Sequence, residues 1–233
     1  VCDVGIRGGR IAAIGDLASA ATAAVLVVRG LHVLPGVIDS QVHFREPGLE
    51  HKEDFATGTA AAALGGVVAV FEMPNTKPST TTPAALADKV QRAHGRMWTD
   101  HAFYFGGSAE NADQLGEWER LPGCSGVKVF MGSSTGNLLV PDDATLERIL
   151  RSINRRMAVH CEDEPRLIER RSLVDVPGAT PHLHPVWRDE LTALRATTRL
   201  VELAEKLCKR VHVLHVTTAD EMAYLADHKQ VAT

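Results

Sequence analysis

The stretch GVIDSQVHFREPG, residues 36–48, opens as an apolar run and closes on polar and charged side chains. A doubly wound dinucleotide-binding sheet carries G-x-G-x-x-G directly after its first strand. Here the first strand runs instead into Gln41, His43, Arg45 and Glu46. Outward from it one unit recurs. Apolar runs at 36–43, 66–73, 102–106, 126–131, 157–161 and 211–216 each precede a helical pattern, at 53–64, 83–94, 111–119, 142–154, 190–207 and 219–228. Pro83 suits a first helical turn, and acidic pairs at 53–54 and 142–143 suit helix starts. Six β-then-α units in a row predict a parallel sheet and, without the dinucleotide fingerprint, a (β/α)8 barrel. Six units are two short of that barrel, and 231–233 reads as the entry to a seventh strand, so C-terminal units are expected to be missing. Residues 1–34 read differently. Short β-branched runs at 4–6, 11–14 and 25–28, separated by Gly-Gly and Gly-Asp turns, predict part of a small antiparallel β module, with strands expected upstream of Val1 and the barrel occupying 35–233.

Composition narrows the functional classes. The 233 residues (25.1 kDa) are 45% hydrophobic and 23% charged, enough for one sizeable core. A formal charge of −4 and the lack of a basic run argue against nucleic acid as a partner. No apolar stretch approaches the roughly 20 residues that cross a bilayer, and no leader-like segment opens the chain, so a cytoplasmic protein without a membrane partner is expected. Cys2, Cys124, Cys161 and Cys208 show no short-spaced pair, which speaks against a disulfide framework or a thiolate zinc knot. Histidine is the abundant reactive residue: 11 of them, as many as Phe, Trp and Tyr together.

Barrel chemistry sits at the C-terminal ends of the strands. Those places hold Asp39, Gln41 and His43, then Asn75, Lys128, His160 and His215. One such histidine is ordinarily a partly buried, hydrogen-bonded side chain. Three at equivalent strand ends favour a metal, because imidazole is a preferred zinc ligand and catalytic zinc takes about three protein ligands plus a water. Lys128 lies in the apolar run GVKVFM. It either reaches the mouth or pairs with Glu72, or else it is desolvated to a neutral amine able to add carbon dioxide as a carbamate. His182 and His184, among prolines 177, 181 and 185, read as surface or lid residues, and Glu162 and Asp163 as caps of the next helix. The Ser- and Gly-rich segment 133–137 reads as a turn.

The segments DSQVHFREPGLEHKEDFATGTAAAALGGVVAVFEMPNTKPSTTT, GVKVFMGSSTGNLLV, MAVHCEDE and VHVLHVTT resemble the amidohydrolase superfamily, and within it the dihydroorotases, from about Pro35 onward. H-F-R-E-P-G and M-P-N-T are the most specific parts. The resemblance implies a (β/α)8 barrel with a small β-sandwich, zinc at the strand mouth (one or two per chain), and reversible hydrolysis of dihydroorotate to N-carbamoyl-aspartate in pyrimidine biosynthesis. By the same resemblance His43 is a metal ligand, Lys128 a carbamylated bridging ligand, and His160 and His215 the second metal's ligands. Arg45 and Asn75 match the residues that hold the substrate carboxylate. The family motif is H-x-H, and this sequence has Gln41 in place of the first histidine, a much poorer zinc ligand. The family's catalytic Asp, from the eighth strand, falls beyond Thr233. The expected partners are the small-molecule substrate and further copies of the chain, as a dimer or tetramer. Two alternatives stay open: a hydantoinase- or allantoinase-like cyclic amide hydrolase, and a catalytically inactive structural partner.

Overall fold

The computed structural model describes residues 2–133 and 137–233. The chain divides into two compact units, Val1–Pro35 and Gly36–Thr233. In the first, β1 (Asp3–Arg7) and β2 (Arg10–Gly15) form an antiparallel hairpin. Its two-residue turn falls on Gly8 and Gly9, both at positive φ (58° and 72°), the backbone that a tight hairpin connection requires. The run at 25–28, expected as a strand, is not one. Val25, Leu26 and Val27 are exposed, and β propensity yields a strand only where a neighbouring ladder takes up the backbone hydrogen bonds.

The second unit alternates strands and helices as its sequence period predicts. The strands are β3 (Val37–Val42), β4 (Val67–Glu72), β5 (Asp100–Gly106), β6 (Cys124–Phe130), β7 (Met157–His160) and β8 (Val211–Val213). They pair in parallel and in chain order, the arrangement of consecutive barrel strands. Residues 231–233 add backbone bonds alongside β8, with Val211 N–H donating to Val231 O and Val213 N–H to Thr233 O. The helices are α1 (Phe55–Leu64), α2 (Pro83–Ala93), α3 (Leu115–Trp118), α4 (Asp143–Ser152), α5 (Glu164–Glu169), α6 (His184–Trp187), α7 (Glu190–Lys206) and α8 (Ala219–Asp227). Asp54, Thr82, Asp142, Asp163, Asp189 and Thr218 cap six of them through the side chain, each worth about 1 kcal/mol.

Two expectations are corrected here. The helix expected over 111–119 shrinks to α3, because the Asn111 side chain is spent on the loop: it donates to Thr81 O and Gly106 O and accepts from Ser108 N–H. The stretch around prolines 177, 181 and 185, expected as a loop, contains the short helix α6. The 133–137 turn includes residues 134–136, which lie outside the described residues.

Alternation along the strands separates two apolar clusters. Phe103, Phe105, Val127, Val129, Met157 and Val159 belong to the main core, with residues of α1, α4 and α7 such as Phe55, Ile149 and Leu200. Tyr104, Ala158, Met73 and Leu214, with Phe71 against them, form a smaller cluster on the opposite face. Lys128 is in strand register with Ala158, so the period of two places it on that inner face.

Candidate active site

The loop after β3 is built by burying one carboxylate. Glu46, 3% exposed, accepts from both terminal nitrogens of Arg96 (2.5 and 3.0 Å) and from the Phe55 N–H that opens α1 (3.2 Å). Gly48 then lies so close to the loop after β4 that a Cβ on it would sit 2.2 Å from Lys77 O; with φ at +91°, glycine alone fits. Lys77 N–H closes the junction by donating to Pro47 O (2.9 Å). H-F-R-E-P-G and M-P-N-T are thus fastened together, which brings Asn75 beside His43.

His43 follows β3 directly and is half-buried. Burial, then the neighbouring charge of Arg45, with Lys128 and His215 acting in the same direction, lowers its pKa to about 4. Neither His43 Nδ1 nor Asn75 Oδ1, both buried, has a hydrogen-bond partner among the described residues. Arg45 takes a left-handed backbone (φ 67°), uncommon for a side chain of its size. Among the described residues it pairs with no carboxylate, whereas Glu46 is taken by Arg96 and Glu72 by Lys89.

Lys128, 1% exposed, has no hydrogen-bond partner for Nζ among the described residues, and Nζ lies 4.5 Å from the centre of the Phe130 ring. Burial lowers its pKa to about 7. Of the sequence-level readings, pairing with Glu72 is ruled out, since that carboxylate is bound by Lys89 from α2.

His160 ends β7, and His215 lies just past β8 with φ at 42°. Their rings meet edge to face at 4.8 Å, with Nδ1 of His160 2.9 Å from Nε2 of His215. His215 is exposed, yet desolvation of its ring beside the strand ends, followed by the charges of His160 and Lys128, lowers its pKa to about 4. At neutral pH, then, His43 and His215 present neutral imidazoles, the protonation state that a metal requires. Two adjoining imidazole nitrogens, an unpartnered His43 Nδ1 and an unpartnered buried amine suit a divalent cation chemically. Among the described residues no three His, Cys, Asp or Glu side chains already form a closed ligand set. Gln41 lies half-buried in β3, its N–H donating to Asp39 Oδ1.

Sequence reasoning missed one pair. Asp163 does cap α5, but Glu162 does not: its carboxylate accepts from His160 Nε2 (2.5 Å) and from Arg188. The spacing H-x-E at a strand end was the available signal, since residues two apart share a face. The His160 imidazole and the Arg188 guanidinium occupy the carboxylate that was expected to cap the helix. His182 and His184 are exposed, as expected.

This fold and this set of side chains define a barrel of the amidohydrolase type. The dihydro-orotase-like family matches residues 30–94, which contain both H-F-R-E-P-G and M-P-N-T. Across its length the chain is 34% identical to an allantoinase of Deinococcus radiodurans (98% of this chain, 52% of that protein) and 32% identical to a dihydroorotase of Methanosarcina acetivorans (97% and 49%). Its structure is similar to that of an L-hydantoinase (dihydropyrimidinase) from Arthrobacter aurescens, with a TM-score of 0.86 and 26% identity over 99% of this chain and 53% of that one. Residues 30–94 thus carry a dihydro-orotase-like domain segment of the amidohydrolase superfamily. The chain spans about half the length of the curated relatives it matches. No helix among the described residues is long and apolar enough to cross a membrane.

Proposed function

We propose that the protein is a zinc-dependent hydrolase of a cyclic amide, and that its reaction is the reversible interconversion of dihydroorotate and N-carbamoyl-aspartate. The observation that carries the substrate is Arg45: a half-buried guanidinium beside His43 that pairs with no carboxylate among the described residues, with the Asn75 amide, also beside His43, as a further donor. A planar guanidinium fork matches a substrate carboxylate, which dihydroorotate has and an unsubstituted hydantoin ring lacks. Zinc, when bound, supplies an activated water and polarises the ring carbonyl. His160 and His215 are the side chains that would hold one ion, with His43 and Lys128 the candidates for the other. Lys128 suits this only after its neutral amine has added carbon dioxide and lost a proton, and its lowered pKa favours the neutral form at working pH. Arg45 and Asn75 orient the ring so that its amide faces this group. Gln41 leaves the His43 position the weaker of the two.

A second reading has its own support. The allantoinase and hydantoinase relatives make a hydantoinase- or allantoinase-like activity comparably well founded. Assay of the purified zinc-loaded protein against dihydroorotate, allantoin and 5-substituted hydantoins separates the two. Highest kcat/KM on dihydroorotate is expected; turnover of hydantoins or allantoin with none of dihydroorotate would transfer the assignment. Less than one zinc per chain and no turnover would identify a catalytically inactive structural relative.

A further inference from the structure

Glu162 and Arg188 belong to no part of that assignment, yet together they contact the strand-end histidine His160. Glu162 Oε2 is 2.5 Å from His160 Nε2. The Arg188 guanidinium grips the same carboxylate with two nitrogens, Nε on Oε1 at 2.6 Å and Nη2 on Oε2, and Nη2 also lies 3.5 Å from His160 Nε2. Both side chains are mostly buried, at 13% and 21% exposure. A carboxylate held on both oxygens by a guanidinium only accepts, so the imidazole nitrogen facing it carries the proton. A neutral imidazole has one N–H, which leaves its other nitrogen with a free lone pair. In His160 that other nitrogen is Nδ1, 2.9 Å from His215 Nε2.

Arg188 is itself fixed from behind. The next residue, Asp189, caps α7 and accepts from Arg166, and Arg170 donates to the carbonyls of Val186 and Trp187. The stretch that leaves the barrel after α5 and returns at α7 is therefore fastened at its return point, and Arg188 reaches from there to the strand end.

We propose that Glu162, clamped by Arg188, is a positioning residue that takes the Nε2 proton of His160 and so presents Nδ1 as the donor atom on the side of His215. Arg188 thereby ties the segment between α5 and α7 to the geometry of the metal position. This rests on the zinc reading above for its consequence, though not for its geometry. Outer carboxylates of this kind commonly change metal affinity by about 10- to 100-fold when removed.

The test uses two readouts on the purified protein. Histidine ¹⁵N NMR of the zinc-free protein is expected to show His160 as the Nε2–H tautomer, and Glu162→Leu to show a mixture or the Nδ1–H form. Zinc affinity, measured by chelator competition, is expected to fall about 10- to 100-fold in Glu162→Leu and less in Arg188→Leu, with Glu162→Gln between wild type and Glu162→Leu because an amide oxygen still accepts. Should Glu162→Leu fail to fold, Glu162→Gln and Arg188→Leu carry the comparison. Wild-type His160 as the Nδ1–H tautomer, or zinc affinity unchanged in the folded variants, overturns the proposal. Wild-type protein that binds no zinc but keeps the Nε2–H tautomer would overturn the zinc reading and support the positioning role.

Discussion

Two lysines are buried equally in this molecule, and the fold treats them in opposite ways. Lys89 and Lys128 are each 1% exposed, and burial pushes the pKa of both down. Lys89, between α2 and the end of β4, is given an anion: it pairs with Glu72 and donates to Met73 O at 3.1 Å. Lys128, on the inner face of β6, has the face of Phe130 and, among the described residues, no hydrogen-bond partner. One site supports a buried ammonium by pairing it; the other favours an uncharged amine. A neutral amine at a strand mouth has a free lone pair for chemistry, whereas a paired ammonium has none, and the role proposed for Lys128 needs that lone pair.

The comparison can be broken most forcefully at the paired lysine. Lys89→Met leaves Glu72 buried without its counter-ion and is expected to lower stability by about 3 to 5 kcal/mol, read from urea unfolding. A loss below about 1 kcal/mol would mean that the pair does not hold this layer. Arg45, half-buried beside His43, pairs with no carboxylate among the described residues. Arg45→Ala is expected to leave zinc content intact and to reduce kcat/KM on dihydroorotate by an amount equal to about 2 to 4 kcal/mol. Unchanged kinetics would remove the basis for the substrate assignment.

Lys128 should respond in chemistry more than in stability. Lys128→Met, close in volume, is expected to stay within about 1 kcal/mol of wild type only at high pH, where the amine is neutral both folded and unfolded, and to be the more stable protein below that. Lys128→Ala should lose zinc and regain part of it with added short carboxylic acids; full zinc retention would make Lys128 structural. The pH dependence sharpens the point. With a folded pKa of about 7 against an ordinary value of 10.5, the unfolded chain alone holds the proton between those limits. Stability of the zinc-free protein in carbonate-free buffer is therefore expected to rise with pH through that window, and the cost of the buried charge to be complete below it. Lys128→Met should flatten the rise, and identical pH profiles would show that Lys128 is not desolvated. The smallest effect is expected from Gln41→His, which should raise zinc stoichiometry toward two per chain with no change in stability. Two zinc ions already present in the wild type, with none added by the variant, would show that Gln41 is no handicap.

The repeat of apolar run and helical pattern was readable because strand and helix periods are local properties, and the H-F-R-E-P-G and M-P-N-T motifs placed His43, Arg45 and Asn75 at strand ends for the same reason. Helix caps at Asp54 and Asp142 were also local, as a cap bonds three residues ahead. Pairing was not local. Glu72 stands 17 residues before Lys89 and far from Lys128 in sequence, and only the packing of α2 on β4 gives the carboxylate to one lysine and denies it to the other. Arg188 reaches Glu162 across 26 residues, so a glutamate that the sequence suggested as a helix cap becomes the partner of a strand-end histidine. Sequence by itself set the alternation, the family and the reactive side chains at the strand ends. Tertiary structure decided which of those side chains are charged, which are paired and which are left free, because desolvation and counter-ions depend on neighbours that the chain brings together only on folding.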